Sequence, residues 1–411
     1  MKYKIFAILS IILMASCSEK KSYSGRFDVP IDVSNIKKMI EGDSPDLLTI
    51  KIDYTKILPY SIFHKFSYIK LDTNPDYIIG EITNIVFYLD RIYILDRGQT
   101  HNLYAFDLQG KFLSKIRAIG DGPLELKLGR DFDILHTTNE IVVYDGPHNK
   151  FIYYDLQLEP LREIKVGMFI DFFRFLNDST KLVDVSTSEN FHEDLIMNHN
   201  LIFLNNKNQP IILDSTNANN FRKINFLPRI TLQKNSTNRI TWSPPFKNAI
   251  YSISHTGKII KEIELNLGKK EIPKEYYNKE FHEINKFSFE RTRYLYKGDY
   301  SENETHRYLN IYTSRNSKQI AVFVNKESNT FIQGLLNGEE IDRNTITDPF
   351  LSTPLAGTGA KFVSILEASP LATSQKDIIA FYPKLNPQLK EIIQRTKSGD
   401  NPILQLYSVD F

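Results

Sequence analysis

Cysteine is nearly missing: Cys17 is the only one in 411 residues. A chain without a second cysteine forms no internal disulfide and offers no thiolate cluster to a metal, so its stability must come from its core. Charge of one sign is also missing. The 51 basic and 49 acidic residues leave a formal net charge of +2, with no long Lys/Arg block, which argues against a nucleic-acid partner. No stretch reaches the ~20 apolar residues that a membrane-spanning helix needs. P-loop, dinucleotide-fingerprint, nucleophile-elbow and HExxH motifs are absent. Gly120-Asp121-Gly122-Pro123 is not followed by a Lys-Ser/Thr pair and reads as a turn rather than a phosphate cradle. The expectation is therefore no cofactor, no identified catalytic residue and no metal set.

What is present is strand. Hydrophobic residues make up 41% of the chain and aromatics 12%, mostly Phe and Tyr, enough for a large β-rich core. Arg91 to Ile116 reads as three short strands, with a turn at Asp107-Leu108-Gln109-Gly110. Versions of its second half recur at 153–161, 202–212, 251–260 and 322–332, and half of one at 406–411. The residues before each turn are Phe106, Tyr154, Leu204, Ile253, Val324 and Val409, separated by about 48, 50, 49, 71 and 85 residues. A blade of four antiparallel strands takes about 40–50 residues. The spacing predicts a six-bladed β-propeller with late insertions. Another short apolar strand precedes each unit: Ile92–Leu95, Ile141–Tyr144, Leu182–Val185, Ile240–Trp242, Leu309–Tyr312 and Ile378–Tyr382. Apolar residues on successive positions suit sheets covered on both faces. The chain stops where a sixth blade needs its outermost strand, and 66–72 supplies it, closing the ring with both termini in one blade.

With strands A to D counted from the centre outward, the D–A and B–C connections leave on one face. The long insertions fall there: 119–130, the helix-like 266–290, 337–360 and the helix-like 383–401. Insertions gathered on one face of a repeat protein mark its binding face. Candidate binding residues follow from that placement. Arg97, His101 and His148 lie in B–C loops. Asp121 and Glu125 lie between blades one and two. Asp131 and Asp133 fall on one side of the second blade's inner strand, at the channel mouth. Trp242 precedes a Pro-Pro loop and would stack on a sugar or peptide there, or else pack between blades. His192 and His199 share a metal only if the loop between them folds back. Asp-Ser-Thr at 178–180 and 214–216 resembles a bacterial O-glycosylation acceptor.

The first residues carry a different signal. Lys2 and Lys4 precede a short apolar run, Ile5 to Met14, the layout of a signal peptide. Leu13-Met14-Ala15-Ser16-Cys17 resembles a bacterial lipobox, with Met14 where Leu is commoner. The resemblance implies a signal peptide over 1–16 and a lipid on Cys17; the mixed, polar residues that follow read as a tether over 17–60, able to order in part against the propeller over 61–411. Only one acid, Glu19, closely follows Cys17, which favours the periplasmic side of an outer membrane over surface export.

The lipobox, YIKLDTNPDYIIGEI (68–82), RIYILDRGQ (91–99), LYAFDLQGKFLSKI (103–116) and IGDGPLEL (119–126) together resemble the six-bladed β-propeller lipoproteins of Bacteroides-type bacteria. In the last segment Leu124 stands where Gly is usual. The likeness is good over about residues 65–165. It implies the propeller and an envelope location, and no catalytic residues. A weaker likeness to NHL-type propellers suggests ligand or protein binding on one face. The function expected is a monomeric, lipid-anchored envelope protein holding a protein, peptide or glycan. The alternative is a metal-assisted hydrolase or lyase at the channel mouth.

Overall fold

The computed structural model describes residues 27, 29–32, 34–188, 190, 192–214, 230–235, 239–273, 275–276, 279, 281–291, 293–313, 319–336 and 342–411. Short apolar runs broken by turn residues form six small antiparallel sheets, each able to bury its faces only against a neighbouring sheet. Blade 1 comprises strands A Ile82–Tyr88, B Arg91–Asp96, C Asn102–Asp107 and D Phe112–Lys115. Blade 2 spans Gly129–Leu135, Glu140–Asp145, Lys150–Tyr154 and Pro160–Lys165. Blade 3 spans Phe172–Asn177, Thr180–Asp184, Leu201–Leu204 and Pro210–Leu213. Blade 4 spans Leu232–Lys234, Ile240–Trp242, Ala249–Ile253 and Lys258–Asn266. Blade 5 spans Tyr294–Glu302, His306–Thr313, Gln319–Asn325 and Phe331–Leu335. Blade 6 takes Ala356–Thr358, Lys361–Leu366 and Ile403–Val409 from the end of the chain and Phe63–Lys70 from its beginning, so the ring closes as expected. The fold is a six-bladed β-propeller.

Six apolar clusters hold the ring, one at each blade–blade interface. Tyr144 and Phe151 of blade 2 meet Phe173 and Val183 of blade 3, for example, and Phe323 of blade 5 meets Phe362 and Tyr407 of blade 6. The C–D turns share one chemistry. The side chains of Asp107, Asp155, Asn205 and Asn325 accept backbone N–H groups within their own turns. Gly110, Leu158, Asn208, Gly257 and Asn329 take the left-handed position that follows.

One predicted strand is corrected. Ile378–Tyr382 is not a strand: Gln375–Phe381 is helical, and strand B of blade 6 is Lys361–Leu366. Its Ile378, Ile379 and Tyr382 face Leu389 and Ile393 of a neighbouring helix. A short apolar run carries no period that separates a strand from a buried helical turn. The helices Ala368–Thr373, Gln375–Phe381 and Pro387–Arg395 all lie in the B–C connection of blade 6, and Phe281–Arg291 lies in the D–A connection between blades 4 and 5. The insertions thus gather on the predicted face.

The segment read as tether does more than connect. From Lys37 it runs as a belt along the outer edges of the ring. Lys37–Lys38 pairs in parallel with strand D of blade 3, and Ile40–Lys51 pairs in parallel with strand D of blade 4. Ile57 then bridges Leu335 of blade 5 before the chain enters blade 6. Met39, Ile50 and Ile52 are buried in the interface clusters. At Gly334 a Cβ would lie 2.4 Å from the Leu58 amide nitrogen, so only glycine lets the belt cross there.

Lys181 is a buried cation in this core. Its ammonium lies between the rings of Phe151 and Phe175, at 5.4 and 5.3 Å, with no carboxylate partner among the described residues. Burial, and then the charge of Arg162, push it down to about 8 from 10.5. Lys181→Met should therefore stabilise the fold by roughly 2 kcal/mol at pH 7, part of the desolvation cost being already offset by the two rings. The folded lysine releases its proton near pH 8 and the unfolded one near 10.5, so wild-type stability gains on the variant as pH rises through that window. Urea melts of both proteins at pH 7 and pH 10 measure it. An equal gap at the two values would mean that Lys181 is hydrated.

Candidate functional site

Two regions present chemistry: the insertion-bearing face and the central channel. On the first, buried carboxylates at or near the ends of B strands fasten the loops. Asp96 accepts the N–H groups of Gly80, Gly98, Gln99 and Thr100. Asp145 accepts those of Lys127 and Leu128. Asp184 accepts from Ser186 N, Thr231 Oγ1 and Trp242 Nε1. All three are fully buried. Each ties its B–C loop to a neighbouring D–A connection or, for Asp184, to the next blade. Burial, and then the nearby Asp171 charge, push the Asp184 carboxyl up to about 6, while its donors pull it back. The signal for these residues is in the sequence, where RIYILD, EIVVYD and TKLVD all end in Asp. A reading that followed the C–D turns passes over it.

The candidate residues fall into groups. Asp121, His148 and Lys127 form one exposed cluster: His148 Nδ1 lies 2.8 Å from Asp145 and its Nε2 3.2 Å from Asp121, which also meets Lys127 at 2.9 Å. Glu125 accepts the Gly122 N–H at 2.9 Å and shapes the same loop. Lys150, paired with Glu163 at 2.7 Å, holds the Gly122 carbonyl, while Glu163 accepts the Leu124 N–H. The tight turn survives with Leu124 at φ 59°. His101, also left-handed, uses its carbonyl to accept the Gly129 N–H. Arg97 sits over the Phe172 ring at 5.4 Å, its guanidinium pushed down by burial and held up by the charge of Asp131.

Trp242 is a core residue, 1% exposed, with its ring in the blade 3–4 cluster. Of its two readings, packing between blades holds, and the stacking role is corrected because its faces are taken. His192 and His199 do not meet at a metal. His192 stacks on Phe27 with centroids 3.9 Å apart, and His199 Nδ1 lies 3.0 Å from Asp214. Ser179 of the first Asp-Ser-Thr lies exposed beside the A–B turn of blade 3, whereas Ser215 and Thr216 of the second lie outside the described residues.

Asp131 and Asp133 do lie together, but not as open metal ligands. An innermost strand has an unpaired edge, and these carboxylates satisfy the one in blade 3. Asp131 accepts the Phe173 N–H at 3.0 Å and Arg174 Nη1 at 2.6 Å, and Asp133 accepts the Phe175 N–H at 2.7 Å. Burial raises the Asp131 carboxyl, and Arg174 and the Phe173 amide pull it back. Among the described residues no three His, Cys, Asp or Glu side chains are placed to share a metal.

The channel itself widens toward the A–B turns, opposite the insertions. A cavity of about 320 Å³ is lined from all six inner strands, by Asn84, Asp133, Arg174, Lys234, Glu302 and Thr358 among others. Glu302 is engaged by Lys326 and by Thr241 Oγ1 at 3.0 Å.

The architecture is shared with solved structures. A Bacteroides fragilis protein named as a candidate exported protein superposes with TM-score 0.72 at 17% identity, covering 89% of this chain and 100% of its own. A DUF4221-family member from Bacteroides vulgatus gives 0.52 at 10% identity, covering 85% and 97%. At such identities the likeness concerns the fold. No curated protein matches the chain. The model of a domain of unknown function, DUF4934, matches residues 49–408, from the middle of the belt to the closing blade, and the chain belongs to that family.

Proposed function

We propose that this protein is a lipid-anchored, non-catalytic propeller of the bacterial envelope, facing the periplasm from the outer membrane, that holds a protein, peptide or glycan partner on its insertion-bearing face. One observation carries the reading. Loops fastened by the buried Asp96 and Asp145 present exposed apolar side chains on that face, Ile78, Ile119 and Leu128 on D–A connections, and the inserted helices add Phe289 and Phe381. Rigid loops lose little entropy on binding, and exposed apolar groups supply the driving force. The chain also leaves the ring near this face, where Phe27 packs on Phe169 and His192. Ten residues separate Cys17 from Phe27, a reach of about 35 Å at most. A lipid on Cys17 would therefore keep the face close to the bilayer, and its partner would be membrane-associated. The metal-assisted alternative has less support, because Asp131 and Asp133 are committed to backbone amides and cations.

Photo-crosslinking in intact cells tests the proposal. A photoreactive residue at Ile119 or Phe381 should capture one discrete partner, and one at Leu89 or Leu108 on the other face should not. Cys17→Ala should move the protein from the membrane to the soluble fraction. Crosslinks from Leu89 and Leu108 alone would place the partner on the opposite face and sink the reading.

A further inference from the structure

The channel cavity has an imbalance that its own residues do not resolve. Arg174 is 5% exposed and uses Nη1 on Asp131, while its Nη2 and Nε have no protein partner among the described residues. Lys234, with a side chain 9% exposed, has only a loose contact to Asp133 at 3.8 Å, beyond hydrogen-bond length. The neighbouring carboxylates are already occupied: Asp131 and Asp133 by the Phe173 and Phe175 amides, Glu302 by Lys326 and Thr241. Two nearly buried cations thus keep spare donors toward one space, while Asp131, Asp133 and Glu302 are engaged and Glu304 lies exposed at its rim. Buried donors without acceptors are costly, and water or a ligand must meet them. The volume of about 320 Å³ equals roughly ten waters, room for a molecule of monosaccharide size.

We infer that the channel binds a small molecule bearing a carboxylate or phosphate group, with its anionic oxygens held between Lys234 and Arg174. The site opens on the A–B face, away from the insertions, and is independent of any partner held there. Arginine offers a planar fork to an oxyanion and lysine a point charge, and together they accept either head group. Asn84 and Thr358, on the inner strands of blades 1 and 6, line the same cavity and offer polar groups to the rest of the ligand.

Three matched probes test this on the full chain by calorimetry at constant ionic strength: glucose, glucuronate and glucose 6-phosphate. At least one of the two anionic sugars should bind saturably with one-to-one stoichiometry, at least tenfold tighter than glucose. Which of the two binds tells carboxylate from phosphate. Lys234→Gln should weaken that binding at least tenfold, Lys234→Arg should keep it within about threefold, and Lys111→Gln, at an exposed outer turn, should leave it unchanged. Equal binding of all three sugars, no saturable binding of any, or full affinity in Lys234→Gln overturns the inference. The melting curve of Lys234→Gln guards against misfolding, and unchanged melting is expected because this lysine makes one loose contact.

Discussion

Asp131→Ala should lower the unfolding free energy by about 3–5 kcal/mol, the range for leaving one member of a buried ion pair alone. Three groups lose this carboxylate at once: Arg174 Nη1 at 2.6 Å, which keeps the Phe173 carbonyl, the Phe173 N–H at 3.0 Å and Asn84 Nδ2 at 3.3 Å. Arg174 and Asn84 are 5% and 6% exposed at the wall of the channel cavity, so water reaches them only through that cavity. Solvation explains why the charge itself is not the stabilising element. Bringing both ions into the ring costs about what their attraction returns, so Asp131→Leu with Arg174→Met should recover most of the loss. The surface ion pair of Asp121 is the contrast. At 70% exposure it is screened by water, and Asp121→Asn should leave the melting temperature where it is. Urea unfolding of the four proteins at pH 7 measures the series. If Asp131→Ala melts with the wild type, water has taken over the carboxylate's contacts and the inner edge of blade 3 is not sealed.

Asp131 also shows where reading a sequence reaches its limit. Alternation correctly puts Asp131 and Asp133 on one side of their strand, at the channel mouth, where the pattern fits a capped strand end better than a metal site. The residues that occupy them are the backbone amides of Phe173 and Phe175, some forty positions away, and an amide leaves no trace in a side-chain pattern. Trp242 follows the same logic. Beside Pro244 and Pro245 it fits either a stacking loop aromatic or packing between blades, and the cluster of Phe203, Leu232 and Ile259 decides for packing. What was legible rested on repetition. Near-constant spacing of the early C–D turns, each with a side-chain acceptor followed by a left-handed residue, identifies the blades before any contact is known. Spacing fails late in the chain, because the insertions before Lys361 and Ile403 stretch the period. The helical Gln375–Phe381 then takes the place where a strand was expected.

The belt was the least legible part, and removing it should separate two roles of the first seventy residues. IEGDSPDLLTIK (40–51) contains Gly42 and Pro45 and has no clean alternation, so nothing local marks it as a strand. Its partner makes it one: strand D of blade 4 offers an unpaired edge from Lys258 to Asn266, and the belt meets it in parallel on either side of a bulge. A chain starting at Ile52 loses Met39 and Ile50, both buried, worth roughly 1.5–3 kcal/mol each as an upper bound, less the entropy of ordering the segment. It should fold with a lower melting point and self-associate, because the edges of blades 3 and 4 then lie open to a second copy. A chain starting at Thr73 also loses Phe63–Lys70 and its pairing with Ile403–Val409. Blade 6 is then left with three strands and the ring without its closure, so the transition should lose cooperativity across all blades rather than in one. Thermal unfolding followed by circular dichroism, with sizing chromatography, separates the outcomes. A monomeric Ile52 chain of wild-type stability would make the belt a passenger on the ring. A Thr73 chain that still unfolds in one sharp step would show that the inter-blade clusters alone hold the propeller closed.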